Sequence, residues 1–129
     1  MDAESALLGL MTAIDEHRWD DLETFLHPDF ACRLVHTGES FDRDEWIRFN
    51  RDYPGFESLK IEDFVAGPAE AACRSHVTGR SDSGPEHFEC ASFVSIRDGL
   101  IVQLTEVWTD VEQKAPPGTR PQPDIDTAS

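Results

Sequence analysis

The sequence predicts an α+β domain in which three N-terminal helices pack on one face of a mainly antiparallel sheet. Apolar residues recur at helical spacing between residues 5 and 51. Strand-like segments follow one another between residues 59 and 110, separated by turn-forming residues. A run of helices followed by a run of strands is typical of the α+β class. The 129 residues of the chain suffice for one buried core.

The helices are predicted over about residues 5–16, 19–26 and 42–51. In the first, apolar residues recur at the spacing of one helix face. The second has two aspartates in its first turn, which suit the helix dipole, and it ends before Pro28, because proline disfavours helical backbone in the residue before it. Pro54 and Gly55 close the third.

One strand is predicted between the second and third helices, over about residues 30–37, and a turn follows at residues 38–40. Four more strands follow the third helix, and we expect them to form an antiparallel meander. They cover about residues 59–66, 71–80, 87–97 and 100–110. The proline-rich residues 114–129 are expected to be a flexible tail, which leaves residues 1–113 as the domain.

The formal net charge of −15 predicts repulsion from nucleic acid phosphates and from anionic membranes, so we expect neither as a partner. No apolar run is long enough to span a bilayer, and the first residues are acidic where a signal peptide would be basic. The chain has three cysteines, an odd number, and no Cys-x-x-Cys motif, which indicates reduced thiols and not a set of disulfides. We therefore expect a cytoplasmic protein.

Glu106 is the most informative residue of the last strand. With a period of two, it shares a face with Leu100, Val102, Leu104 and Trp108. A carboxylate on an apolar face is costly to bury without a partner, and such groups often mark functional sites. The alternative is that Glu106 lies near the end of the sheet and reaches water.

Two segments carry a resemblance to a known family. They are residues 18–30, RWDDLETFLHPDF, and residues 97–108, which contain RDGLIV followed by EVW. These two segments, together with the order of helices and strands, resemble the SnoaL-like branch of the nuclear-transport-factor-2-like superfamily. That branch is a group of small bacterial proteins. The resemblance implies a strongly curved sheet with a conical pocket. It says little about activity, because one fold hosts many functions.

Ketosteroid isomerases of this superfamily use a Tyr and two Asp residues. The matching positions here fall near Leu10, Leu34 and Ser92, so we expect that this chain does not use that mechanism. The resemblance also implies an outward sheet face that meets a second copy in a homodimer. That face is polar, and a partly polar interface suits it. Its residues are Arg74, His76, Thr78, Arg80, His87, Glu89, Gln103 and Thr105.

The inward face implied by the resemblance brings His36 and Glu106 together as candidate catalytic residues. A histidine beside a carboxylate could shuttle a proton near neutral pH. The alternative is a satisfied pair that only closes the polar end of the pocket. Aromatic residues are the candidate substrate-binding set, although each could equally be core. They are Trp46, Phe49, Tyr53, Phe88 and Trp108.

We expect no metal and no cofactor, because no spacing of His and Cys matches a metal site and no phosphate-binding glycine loop is present. The sequence therefore predicts a protein with a small-molecule pocket. If it is an enzyme, it is a cofactor-free isomerase, cyclase, dehydratase or hydratase acting on a small apolar or polyketide-like substrate. The alternative is a non-catalytic module that binds a ligand or a protein partner.

Overall fold

Local capping defines the helices. Helix α1 (Ala3–Asp15) begins at Asp2, whose side chain accepts a hydrogen bond from the Ser5 backbone N–H at 2.8 Å. A 3₁₀ helix (Trp19–Phe25) follows. Helix α2 (Arg43–Asp52) begins with a capping box, in which Asp42 and Glu45 each accept a hydrogen bond from the other's backbone N–H.

The computed structural model describes residues 1–121 and places these helices against a mixed sheet of six strands. The strands are β1 (Leu26–Leu34), β2 (Ser40–Asp42), β3 (Phe56–Ala66), β4 (Glu70–Ser81), β5 (Gly84–Arg97) and β6 (Leu100–Asp110). Their order across the sheet is β2-β1-β6-β5-β4-β3. Only β1 and β6 pair in parallel among these strands, and the other neighbours are antiparallel.

The predicted α+β class, the three helices and the antiparallel meander of the last four strands are confirmed. The curvature implied by the resemblance stays a prediction. The predicted second helix is present as a 3₁₀ helix. Two local predictions were wrong. The first strand covers Leu26–Leu34 instead of residues 30–37. The predicted turn at residues 38–40 overlaps the short strand β2, which pairs with β1.

The predicted alternation of the last strand fails in its first half. Ser95 pairs with Gln103, whereas Ile96 pairs with Ile101, so Val102 is the extra residue of a β-bulge. Ile101 is consequently buried in place of Leu100 and Val102. From Leu104 onward the alternation holds, which keeps Glu106 on the buried face.

The core lies between the apolar face of α1 and one face of the sheet. Helix α1 buries Leu7, Leu10, Met11 and Ile14, and Trp46 of α2 is also fully buried. The helices therefore cover the face of β6 that carries Leu104 and Glu106. None of the helices in residues 1–121 is both long enough and apolar enough to span a membrane. Residues 111–121 form no helix or strand, and the rest of the predicted tail lies outside the described residues.

Candidate functional site

A cavity of about 420 Å³ lies between α1, the end of α2 and the buried face of the sheet. Its inner wall is mainly apolar, and its polar residues include a deep glutamate and several rim side chains. The residues that line it are Met11, Ile14, Trp19, Leu34, His36, Phe49, Asn50, Tyr53, Pro54, Gly55, Phe56, Leu59, Val77, Gly79, Arg80, Glu86, Phe88, Glu106, Trp108, Thr109, Asp110 and Gln113. An apolar pocket with a few polar groups is the usual form of a small-molecule site.

Glu106 lies in the middle of the sheet, opposite Leu34 of β1 and Ser92 of β5. Its side chain is 6% exposed, yet it lines the cavity. Three donors reach its carboxyl group. Trp46 Nε1 donates to Oε1 at 3.3 Å, the Cys32 thiol donates to Oε1 at 3.6 Å, and the Cys90 thiol donates to Oε2 at 3.5 Å. The carboxyl group is therefore held in one orientation by donors from two strands and a helix.

Burial raises the pKa of Glu106 above its ordinary value, because the charged form loses its hydration. The hydrogen bonds from Trp46, Cys90 and Cys32 lower the pKa, and the charge of His36 lowers it least, but burial outweighs them. An ionised pair with His36 would instead have lowered the pKa. Burial therefore dominates the pKa of Glu106, and His36 has the smallest effect among these groups.

His36 is not on a strand. It lies in the turn after β1, is exposed, and lines the cavity, with its ring centroid 6.5 Å from that of Trp108. Within residues 1–121 it is not a hydrogen-bond partner of the Glu106 carboxyl group. The strand placement predicted for His36 was wrong because β1 ends at Leu34. The two candidate catalytic residues therefore share the cavity, and no hydrogen bond joins them among the described residues.

Four of the five aromatic candidates line the cavity: Phe49, Tyr53, Phe88 and Trp108. Phe88 and Trp108 pack edge to face at 6.3 Å between ring centroids, and Phe49 and Tyr53 do so at 5.5 Å. Trp46 is placed differently. It is 1% exposed and lies behind the cavity wall, where its indole N–H contacts Glu106.

The sequence alone indicated no functional role for the two thiols that contact Glu106, those of Cys32 and Cys90. Cys32 lies on β1 and Cys90 on β5, and both side chains are buried. Burial, and then the neighbouring Glu106 carboxyl group, raises the pKa of each thiol well above its ordinary value. Both are therefore neutral hydrogen-bond donors rather than nucleophiles.

The outward face carries a charged network outside the cavity. Arg74 donates to Glu62, Asp63 and Glu89, and His76 contacts Glu89 and His87 at 2.7 and 2.9 Å. Glu62, His76 and Glu89 together offer three ligand atoms within 4.8 Å of one another. Arg74 already supplies a positive charge to two of them, so this cluster is satisfied without a metal ion.

The sequence matches the family model of the SnoaL-like domain over residues 7–104. A search of curated protein sequences returned no significant match. Among solved structures, the chain is similar to a Kribbella flavida protein provisionally described as a ketosteroid isomerase. The two are 22% identical with a TM-score of 0.77, and the match covers 94% of this chain and 90% of the other.

It is also similar to IdmH of Streptomyces antibioticus, provisionally described as a polyketide cyclase. The two are 20% identical with a TM-score of 0.68, and the match covers 81% of this chain and 89% of the other. A third similar structure is a Catenulispora acidiphila protein in complex with trimethylamine. It is 13% identical with a TM-score of 0.69, over 81% of this chain and 85% of the other. At these identities the structures show a shared fold.

Proposed function

Because the chain belongs to the SnoaL-like domain family, we propose that it binds a small, largely apolar molecule in the cavity and acts on it by cofactor-free acid–base chemistry. The observation that carries this proposal is the buried Glu106 carboxyl group, held by three donors and open to the cavity. The reaction class is isomerisation, cyclisation, dehydration or hydration. The provisional descriptions of two similar structures agree with that range.

In this proposal Glu106 and His36 act at different points of one bound molecule. Both line the cavity, but no hydrogen bond joins them among the described residues. Burial raises the pKa of Glu106, which favours the protonated form, so in this proposal Glu106 donates a proton to the substrate. His36 is exposed at the cavity and is therefore the group that takes a proton and passes it to water.

The aromatic residues would orient the substrate between these two groups. Phe88 and Trp108 form one wall, and Phe49 and Tyr53 form another. Flat apolar molecules, including polyketide-like ones, pack well against such walls. Trp46 contributes through Glu106, because its indole contacts the carboxyl group and not the cavity. No step in this chemistry requires a metal ion or a cofactor.

A metabolite panel tests the proposal, with quenching of tryptophan fluorescence as the readout for binding and product analysis as the readout for turnover. For a molecule that is converted, Glu106→Gln should abolish proton transfer while leaving the fold intact, and His36→Phe should lower turnover strongly. Glu62→Gln is the matched control, since it makes the same change on the outward face. A Glu106→Gln variant with wild-type turnover would refute the assignment.

A non-catalytic module is the second candidate function. The separation of His36 from Glu106 favours it, because the two groups are not arranged as a preformed acid–base pair. In that case the cavity binds a molecule and releases it unchanged, or the charged outward face binds a protein partner. Tight binding of a metabolite that is never converted, with His36→Phe binding as well as the wild type, would favour this function.

A further inference from the structure

Two histidines of neighbouring strands face each other outside the cavity. His76 lies on β4 and His87 on β5, and both belong to the outward sheet face. His76 Nε2 lies 2.9 Å from His87 Nδ1, and the ring centroids are 5.1 Å apart. Imidazole nitrogens are preferred ligands of several transition metals. The two residues lie on different strands, so their pairing leaves no short spacing in the sequence.

Glu89 determines which nitrogen of His76 carries the hydrogen. Glu89 Oε2 lies 2.7 Å from His76 Nδ1, and Glu89 Oε1 accepts a hydrogen bond from Arg74. A carboxylate paired with a guanidinium group only accepts, so His76 Nδ1 is the donor. In neutral His76, Nε2 then carries a lone pair, and this nitrogen faces His87. A carboxylate that accepts from the other ring nitrogen is the usual partner of a metal-binding histidine.

One hydrogen lies between the two rings. Because His76 Nε2 carries a lone pair, His87 Nδ1 is the donor in the metal-free protein. His87 is exposed, so its ring can turn and can carry that hydrogen on its own Nε2 instead. Both facing nitrogens then offer lone pairs. The pair can therefore become a two-nitrogen chelate while both rings stay neutral.

The spacing of the two nitrogens indicates which metals fit. With metal–nitrogen bonds of about 2 Å, adjacent ligands of a square-planar ion lie about 2.8 Å apart, and those of a tetrahedral ion about 3.3 Å apart. The observed 2.9 Å is nearer to the square-planar value. Square-planar coordination is typical of Cu²⁺ and Ni²⁺, and Cu²⁺ binds most tightly among the divalent ions of its row. Mg²⁺ and Ca²⁺ prefer oxygen ligands.

The charges around the pair favour a cation. Arg74 pairs with three carboxylates here, so one positive and three negative charges leave two negative units. The carboxylates are those of Glu62, Asp63 and Glu89. Lys60 lies opposite His76 on β3, but its ammonium group is 2.8 Å from the Asp15 carboxylate. A negative surface raises the local concentration of divalent cations.

We propose that His76 and His87 form a binding site for a divalent transition-metal ion, Cu²⁺ before Ni²⁺ and Zn²⁺. The protein ligands are His76 Nε2 and His87 Nδ1, and water takes the other positions. Glu89 is a positioning residue, since it holds the hydrogen of His76 on Nδ1. No carboxylate is a ligand, so the pairing of Glu89 with Arg74 is kept. Neither histidine lines the cavity, so this site goes beyond the proposed function.

Titration of the full chain with Cu²⁺ tests the site in mildly alkaline buffer, where imidazole is neutral. We expect calorimetry to show one ion per chain. The electron paramagnetic resonance spectrum of the bound Cu²⁺ should show coupling to two imidazole nitrogens. Ni²⁺ and Zn²⁺ should bind more weakly, and an excess of Mg²⁺ should not displace Cu²⁺. A bound Cu²⁺ without coupling to two imidazoles, or no binding of Cu²⁺, would overturn the proposal.

Substitution of each ligand locates the metal. His76→Gln and His87→Gln each remove one ligand and keep a side chain that forms hydrogen bonds. Each variant should bind Cu²⁺ more weakly and lose the coupling to one nitrogen. His17→Gln is the matched control, because His17 is an exposed histidine that contacts the Glu57 backbone oxygen, and it should bind Cu²⁺ like the wild type. Wild-type affinity in both pair variants would overturn the site.

Glu89→Gln tests the positioning role. The amide oxygen can still accept from His76 Nδ1 but lacks the charge, so Cu²⁺ affinity should fall about tenfold with both nitrogen couplings kept. Glu62→Gln is the matched control, because Glu62 also pairs with Arg74, and the His76 contact is made by Glu89. It removes the same charge and should weaken binding less. Equal losses in the two variants would overturn the positioning role, because charge alone would explain them.

The hydrogen positions can be measured without metal. In protein labelled with ¹⁵N-histidine, the ring resonances that disappear in His76→Gln belong to His76, and their shifts report which nitrogen carries the hydrogen. We expect the hydrogen on Nδ1 in the wild type. A hydrogen on Nε2 alone would overturn the proposal, because the nitrogen that faces His87 would then have no lone pair in the resting protein.

Discussion

Trp46 Nε1 of α2 donates a hydrogen bond of 3.3 Å to Glu106 Oε1 of β6, across 60 positions of sequence. Both side chains are buried, at 1% and 6% exposure. The contact ties the second α-helix to the centre of the sheet, and it holds the only carboxyl group that is buried in the described part of the chain. The orientation of Glu106 thus depends on a residue that does not itself line the cavity, whereas its raised pKa is due to burial.

The pH dependence of stability should report the raised pKa of Glu106. Above the ordinary value of 4.5, the unfolded chain ionises this group while the folded protein keeps it neutral. Folding then binds a proton, so this group's contribution to the free energy of unfolding falls by up to about 1.4 kcal/mol per pH unit until the folded-state pKa is reached. Below 4.5 the contribution is constant, because both states are protonated.

Denaturant unfolding of the wild type and of Glu106→Gln at several pH values measures this effect. The other titrating groups cancel in the difference between the two proteins. We expect Glu106→Gln to gain stability relative to the wild type as pH rises through that window. A difference that does not change with pH would show that burial leaves the Glu106 pKa at its ordinary value.

Gly55→Ala should destabilise the fold at the cavity mouth. Gly55 has φ of +79°, and a Cβ atom there would clash with the backbone oxygen of Arg80, whose N–H donates to Gly55 O at 2.8 Å. Gly38 is the matched control, with φ of +77° and no atom within 4 Å of the added Cβ. Gly38→Ala should lower the free energy of unfolding by roughly 1–2 kcal/mol, because of its backbone conformation alone. Gly55→Ala should lower it by clearly more. Equal losses in thermal or denaturant unfolding would exclude the clash.

The three thiols should be inert in the folded protein. Cys32, Cys73 and Cys90 are buried and free, and burial raises the pKa of each above its ordinary value. Because the thiolate is the reactive form, a thiol reagent such as Ellman's reagent should label them only as fast as the protein unfolds. Rapid labelling of a thiol under native conditions would contradict the packing around Glu106. The identity of the labelled cysteine would show which part of that packing is open to solvent.

A homodimer through the outward sheet face remains a prediction. Phe93 is 50% exposed on this face, between Ala72 of β4 and Thr105 of β6. If this face is the interface, Phe93→Asp should shift the mass measured by light scattering from dimer to monomer. Leu8→Asp on α1 is the control, since Leu8 is 49% exposed and lies on a helix instead of on the outward sheet face. A monomeric wild type at micromolar concentration would refute the dimer.

The family segments and the periodicity of apolar residues determined the class of fold, because both depend on local patterns that a single sequence contains. Helical spacing of Leu7, Leu10 and Met11 identified the buried face of α1 correctly. Alternation along β6 placed Glu106 on the buried face. A bulge at Val102 was not predictable, because it depends on the register between two strands.

The arrangement of the site was decided by tertiary structure. Trp46 carries the same aromatic signal as Trp108, but one contacts Glu106 from behind the cavity wall while the other lines the cavity. His36 fell outside β1 because pairing with β2 and β6 ends that strand at Leu34. The sequence identified a carboxyl group on an apolar face. Only packing decided that its neighbours are three donors rather than a histidine, because hydrogen-bond partners so distant in sequence leave no local pattern.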